Sequence, residues 1–258
     1  RGVSVRVRGE CGHCFRSPAT HRVRLNGVEV LVTDRNSFTL RGLNSDTAYP
    51  VEVESGGQTY SLTARTKPLT AALDPRAFGA KGDGVSDDTR ALQAALSACP
   101  PDGLVRLDSG DFVSGPLFLK SHTRLEITRG SSLLGLRDID AWPLLPGILP
   151  GSDGQPVFLG SWEGEPVTCH AALLNILSAE DVMIYGEGTI DGRAGFDTWW
   201  SGDRIAHEKR PERGALPGGT ALGWRSRLIY AIDSHNLTFE GVTLTGSPSW
   251  TLHPLCCT

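Results

Sequence analysis

The stretch Phe78-Gly-Ala-Lys-Gly-Asp-Gly-Val-Ser-Asp-Asp-Thr89 constrains what this chain can fold into more than any other. Glycines at 79, 82 and 84 permit backbone angles closed to other residues and so specify a tight loop. Ser86, Asp87 and Asp88 then offer side-chain oxygens to the free N–H groups of a helix start, where negative charge suits the positive dipole end. Leu92, Ala95, Leu96 and Cys99 recur at helical spacing, which makes one face apolar. Pro100 and Pro101 stop the helix. From Leu104 onward short apolar strands follow one another, so the helix is expected to cover the open end of a stack of strands.

Those strands are Leu104–Leu107, Asp111–Val113, Leu117–Leu119 and Thr123–Ile127, separated by Gly, Ser or Asp, a spacing that suits solenoid coils. An internal repeat supports the same conclusion. Leu125-x-Ile127 with Leu133, Val182-x-Ile184 with Ile190, and Leu237-x-Phe239 with Leu244 superpose at an offset of about 55 residues. That offset exceeds one coil, so each repeat holds a coil plus an excursion. Stacked Ile, Leu, Val and Phe would bury a core that no single coil closes alone.

The opening motif resembles that of right-handed parallel β-helix enzymes, in particular the polygalacturonases of glycoside hydrolase family 28. Further segments carry the resemblance in family order over roughly residues 74–258: Gly115-Pro-Leu-Phe-Leu-Lys-Ser-His122, Gly186-Glu-Gly-Thr-Ile-Asp-Gly192, Trp199-Trp200 and Ser247-Pro-Ser-Trp-Thr-Leu-His-Pro254. The fold expected is thus all-β, the amino-terminal part of a pectin-lyase-like β-helix with a capping helix. The activity implied is inverting hydrolysis of the α-1,4-galacturonide bonds of polygalacturonate or oligogalacturonides. Exo action is implied too, because excursions at 140–168 and 201–227 resemble insertions that wall off one end of the cleft; the alternative is ordinary surface loops. The second excursion carries Trp224 and the basic set Arg204, His207, Lys209, Arg210 and Arg213.

Inverting glycosidases work with two acidic groups about 6.5–9.5 Å apart, one acid and one base flanking a water. The family draws them from an Asn-Thr-Asp segment and a following Asp-Asp pair, with Gly-His-Gly and Arg-x-Lys segments later. None of these is found here in that context. The one Asp-Asp pair, Asp87-Asp88, belongs to the helix-start motif. No catalytic residue is therefore assigned; the catalytic aspartates are expected beyond Thr258, and the chain is expected to be an inactive amino-terminal fragment. Substrate-binding positions are matched at Trp250 and His253, from Trp-x-x-His-Pro, and at Arg225 and Arg227, where Ser226 replaces the family's proline. A uronate carboxylate calls for such basic donors. Core packing for Trp250 and a turn role for His253 are the competing assignments. Asp191, followed at once by glycine, reads as a turn residue.

Residues 1–67 read as a small β domain. Val3–Val7, His21–Leu25, Val28–Val32, Ser37–Leu40 and Tyr49–Val53 alternate or are β-branched between turn clusters. Phe38–Tyr49 followed by Val51-Glu-Val53 resembles the fibronectin type III segment ending in a tyrosine corner, with the first strand or two expected upstream of Arg1. A sugar-binding module is the alternative, with Phe15, Phe38, Tyr49 and Tyr60 as its aromatics. Residues 68–73 read as a linker.

A net charge of −4 offers no basic field for nucleic acid, and no apolar run reaches the roughly 18 residues of a membrane span. Six cysteines are too few for a disulfide scaffold, and Cys11-Gly-His-Cys14 could be a redox pair, one disulfide, half a metal site or none of these. The resemblance implies a monomer needing no cofactor or metal, secreted or periplasmic. Two rival functions remain: a related enzyme acting on rhamnogalacturonan, or on xylose-decorated galacturonan, and a non-catalytic β-helix adhesin or tailspike that binds polysaccharide. A calcium-dependent pectate lyase is a third.

Overall fold

The computed structural model describes residues 2–6, 16–151, 154–201 and 224–258. Cys11, Cys14, Phe15 and the basic set from Arg204 to Arg213 lie outside the described residues. The chain divides into two compact units, Arg1–Leu69 and Thr70–Thr258.

In the first unit Val28–Arg35, Arg16–Leu25, Ala48–Ser55 and Gln58–Arg65 form an antiparallel sheet in that spatial order, and Gly2–Arg6 pairs with Ser37–Arg41. Period-two alternation in these strands buries Val23, Phe38, Leu40, Tyr49, Val51 and Val53 together. The Asn44 amide donates to the Tyr49 hydroxyl at 2.9 Å, tying the loop to the next strand. The strand Gln58–Arg65 was not among the expected strands, although Tyr60, Leu62 and Ala64 alternate after the Gly56-Gly57 turn; Tyr60 and Leu62 are 56% and 52% exposed.

The second unit is a right-handed parallel β-helix of three sheets. Sheet I stacks Ala72–Leu73, Gly103–Leu107, Thr123–Ile127, Met183–Gly186 and Thr238–Glu240. Sheet II stacks Asp83–Asp87, Asp111–Ser114, Ser132–Gly135, Thr189–Asp191 and Thr243–Thr245. Sheet III stacks Leu117–Leu119, Leu174–Leu177, Ile229–Ile232 and Leu252–Leu255. Ala72 and Leu73, expected in the linker, pair instead with Leu104 and Val105 as the first strand of the solenoid.

Apolar ladders run up the interior: Leu73, Val105, Leu125, Ile184 and Phe239 in sheet I, and Phe112, Leu133, Ile190 and Leu244 in sheet II. In the first repeat the sheet I strand is displaced from the expected register, since Leu125 lies opposite Ile184 rather than Val182, while Leu133 lies opposite Ile190 as expected. A shift of two residues keeps every side chain on its face, so the ladder survives it. The next repeat falls as expected, with Ile184 opposite Phe239 and Ile190 opposite Leu244.

The helix Thr89–Ala98 buries Leu92, Ala95 and Leu96, with Cys99 beyond its end, in the same core as the ladders. Gly79, Gly82 and Gly84 all adopt positive φ, as the loop motif requires. The expected capping by Asp88 is not found. Asp88 occupies the N-cap position with φ −94° and ψ 4°, outside the extended region that aims a cap at the helix amides, and makes no side-chain cap bond. Its buried carboxylate turns back to accept the Lys81 amide at 2.7 Å and the Gly82 amide at 2.9 Å. Asp87 takes the Thr89 amide at 2.9 Å.

Candidate functional site

Each long excursion leaves the coil at the same corner, between sheet II and sheet III. Residues 136–173 separate Ser132–Gly135 from Leu174–Leu177, and residues 192–228 separate Thr189–Asp191 from Ile229–Ile232. The short connection from Thr245 to Leu252 carries Ser247, Ser249 and Trp250 at the next coil up. Parallel stacking therefore brings segments far apart in sequence to one place on the outside of sheet III.

The expected binding residues Trp250, His253, Arg225 and Arg227 meet there. Tyr230 and His253 are register partners in sheet III, with ring centroids 5.4 Å apart. Trp250 lies 4.9 Å from the His253 ring and is 38% exposed, so it is not a core residue. His253 sits within the strand Leu252–Leu255, not in a turn. The first excursion adds Trp162, whose ring lies 4.7 Å from Trp250 and stacks 4.6 Å from Trp224 of the second. Trp162, Trp224 and Tyr230 were not expected as site residues. Their signal was positional: Trp224 and Trp250 precede the sheet III strands of successive coils, but only the coil count reveals the equivalence.

Arg227 is the centre of the cluster. It is 1% exposed, and its guanidinium carbon lies 5.2 Å from the Tyr230 ring, 5.2 Å from Trp250 and 5.7 Å from Trp162. Ring faces are electron-rich and favour a cation at such distances. Nε donates to His253 Nδ1 at 3.2 Å, and Nη2 donates to the Ser161 carbonyl. Nη1 has no hydrogen-bond partner, and Arg227 forms no ion pair, among the described residues. Arg225 lies with its guanidinium carbon 5.7 Å from the Trp162 ring and donates from Nη1 to the Pro248 carbonyl at 3.4 Å. Ser226, where the resemblance expects proline, is buried and donates to the Ala171 carbonyl at 2.6 Å, binding the second excursion to the first.

Among the described residues the partners of Arg227 are neutral: the His253 ring, the Ser161 carbonyl and three aromatic faces. Burial, reinforced by the Arg227 charge, lowers the pKa of His253. Burial raises those of the Tyr230 hydroxyl and the Cys169 thiol, so neither ionises easily and Cys169 is not a reactive cysteine. Such a set can stack a pyranose ring on an exposed indole and direct N–H donors at carboxylate or hydroxyl oxygens. Asp191 is a turn residue, its carboxylate accepting the Arg193 amide at 2.8 Å. Among the described residues no cluster of His, Cys, Asp or Glu could hold a metal ion.

No protein-family profile matches the chain. Individual proteins do. A probable polygalacturonase of Vitis vinifera is 29% identical over 184 residues, which is 69% of this chain and 33% of that protein. The exo-poly-alpha-D-galacturonosidase of Dickeya chrysanthemi is 27% identical over 180 residues, 67% of this chain and 27% of the other. The resemblance is to the polygalacturonases. Both polygalacturonase matches leave most of the relative uncovered: the chain spans about a third of their length. The fold agrees with the family 28 exopolygalacturonase of Yersinia enterocolitica, at a TM-score of 0.73 and 19% identity over 99% of this chain and 55% of that one.

Proposed function

We propose that this chain is part of a pectin-degrading glycoside hydrolase that cleaves α-1,4-galacturonide bonds of polygalacturonate with inversion, acting from a chain end. The observation that carries the proposal is the corner at Arg227. Two segments of the resemblance, Arg225 to Arg227 and Trp250 to His253, converge on one aromatic and cationic cluster together with an excursion from a third coil. In this assignment Trp250, His253 and Arg225 contact the galacturonate chain, Arg227, 1% exposed, contributes from behind them, and the excursions limit the cleft to one end of it. The acid and base are not among these four; they are proposed to lie outside residues 1–258, which contain no Asn-Thr-Asp segment.

The amino-terminal unit is proposed to be a fibronectin type III-like sandwich, the support being its antiparallel sheets and the Asn44 to Tyr49 hydroxyl bond. The protein is proposed to act as a secreted or periplasmic monomer. Among the described residues no helix is long and apolar enough to cross a membrane.

The test is product analysis of the full-length protein on polygalacturonate with a chelator present. Mono- or digalacturonate from the earliest times, without absorbance from unsaturated ends, is expected. Unsaturated products would make it a lyase. Binding without products on any pectic polymer would make it a polysaccharide-binding β-helix protein.

A further inference from the structure

Arg227 is buried, and two of its N–H donors have partners, on Nε and Nη2, while Nη1 has none among the described residues. A guanidinium has five N–H donors in a rigid fork. Here Nε–H points at His253 Nδ1 and Nη2 at the Ser161 carbonyl, while three aromatic rings enclose the group. A guanidinium has no lone pair to offer, so the bond to His253 has one polarity: Nδ1 must accept. A neutral imidazole accepting at Nδ1 carries its proton on Nε2, because the bond made by one ring nitrogen sets the state of the other.

We propose that Arg227 is a positioning residue that holds His253 as its neutral Nε2–H tautomer, so that this corner presents an uncharged N–H donor to an oxygen of the bound sugar. The proposal rests on the polygalacturonase reading for the identity of that sugar, but not for the state of the imidazole. Protonating His253 would place a proton on Nδ1, against the Arg227 Nε–H, and put two cations in contact. The titratable groups packed around the ring favour the same state. Arg227 carries a fixed positive charge, and Tyr230, 5.4 Å away, is kept neutral by burial. Burial of His253 itself acts in the same direction as Arg227. Nε2, on the far edge of the ring from Nδ1, has no partner among the described residues and is the atom left for a ligand.

Arg227 and His253 are consequently not two equivalent basic donors. The histidine donates as a neutral group and keeps that state to a lower pH than an ordinary histidine does.

The test is long-range 1H–15N NMR of the histidine side chains of the full chain across that pH range, with the His253 signals assigned from H253Q. In the native protein the proton is expected on Nε2. In Arg227→Met the titration midpoint of His253 is expected to shift upward and the Nδ1–H tautomer to appear. Arg227→Lys, which keeps the charge but has no Nε–H, is expected to keep the midpoint low while releasing the tautomer. A packing role alone would reduce stability in both variants and leave midpoint and tautomer unchanged, which overturns the proposal. If neither variant folds, the native tautomer decides: a proton on Nδ1 refutes it. Failure to degrade polygalacturonate would overturn the proposed function and leave this result standing.

Discussion

Replacing Asp88 by Asn separates two roles that the same residue could play at the head of the β-helix. As a helix cap, Asp and Asn are nearly equivalent, so the change would cost close to nothing. In the structure the carboxylate instead receives the amides of Lys81 and Gly82, one on each oxygen, at 2.7 and 2.9 Å, while only 3% exposed. A carboxamide has a single acceptor oxygen, so one amide keeps its bond and the other faces an NH₂ group. The orphaned donor costs about 1–3 kcal/mol, and Asp88→Ala, which orphans both, about twice that. For a unit of this size the melting temperature falls by about 2–4 °C for each kcal/mol. Urea unfolding followed by tryptophan fluorescence is the assay, because all six tryptophans lie between Trp142 and Trp250 and report on the β-helix unit alone. An Asp88→Asn variant within about 0.5 kcal/mol of the native protein, the range of a neutral surface change, would refute the loop-clamp role.

Asp83 accepts the Ser86 and Val85 amides and the Ser86 hydroxyl, which together lower its pKa to about 2. A folded value below the unfolded one stabilises the loop above pH about 4, and that contribution is lost as pH falls through about 2. An NMR titration of the Asp83 carboxyl with an ordinary midpoint would contradict this. Tyr49→Phe removes the acceptor for the Asn44 amide and is expected to cost about 1 kcal/mol, seen as faster hydrogen exchange at that amide. Gly186→Ala is expected to prevent the third and fourth coils from stacking. Its φ is 132°, and an added Cβ would lie 2.0 Å from the Ile127 carbonyl oxygen; a native-like melt for this variant would show that the coils are not packed as described.

How much was legible follows from the range of the interaction concerned. Glycines 79, 82 and 84 act through their own backbone angles, and the helix face through a fixed 3.6-residue period, so both were visible locally. The strands within residues 104–127 were visible for the same reason, their apolar residues being spaced by the pleat, whereas Ala72–Leu73 and Asp83–Asp87 were read as linker and loop. Gln58–Arg65 was legible but passed over: Tyr60, Leu62 and Ala64 alternate after the Gly56-Gly57 turn that pairs this strand with Ala48–Ser55. The register between Leu125 and Ile184 was misjudged by two residues because nothing local to either strand measures the turns between them. Asp88 was assigned the wrong partner because the choice between the helix amides and the Lys81 and Gly82 amides depends on its own φ and ψ, which composition does not specify.

By itself the sequence determined a solenoid: a glycine loop, a one-faced helix, and apolar residues spaced so that only stacked coils could bury them. It also marked Trp250, His253, Arg225 and Arg227 as residues of one kind of site. The tertiary structure decided that the two excursions open at a single corner, and so placed Trp162 and Trp224 beside Trp250. It also decided that Arg227 is buried against His253 rather than extended into solvent. The reason is physical. Periodicity is a property of a few consecutive residues, whereas which coil lies above which depends on the lengths of every turn and excursion between them, and only the folded stack adds those lengths up.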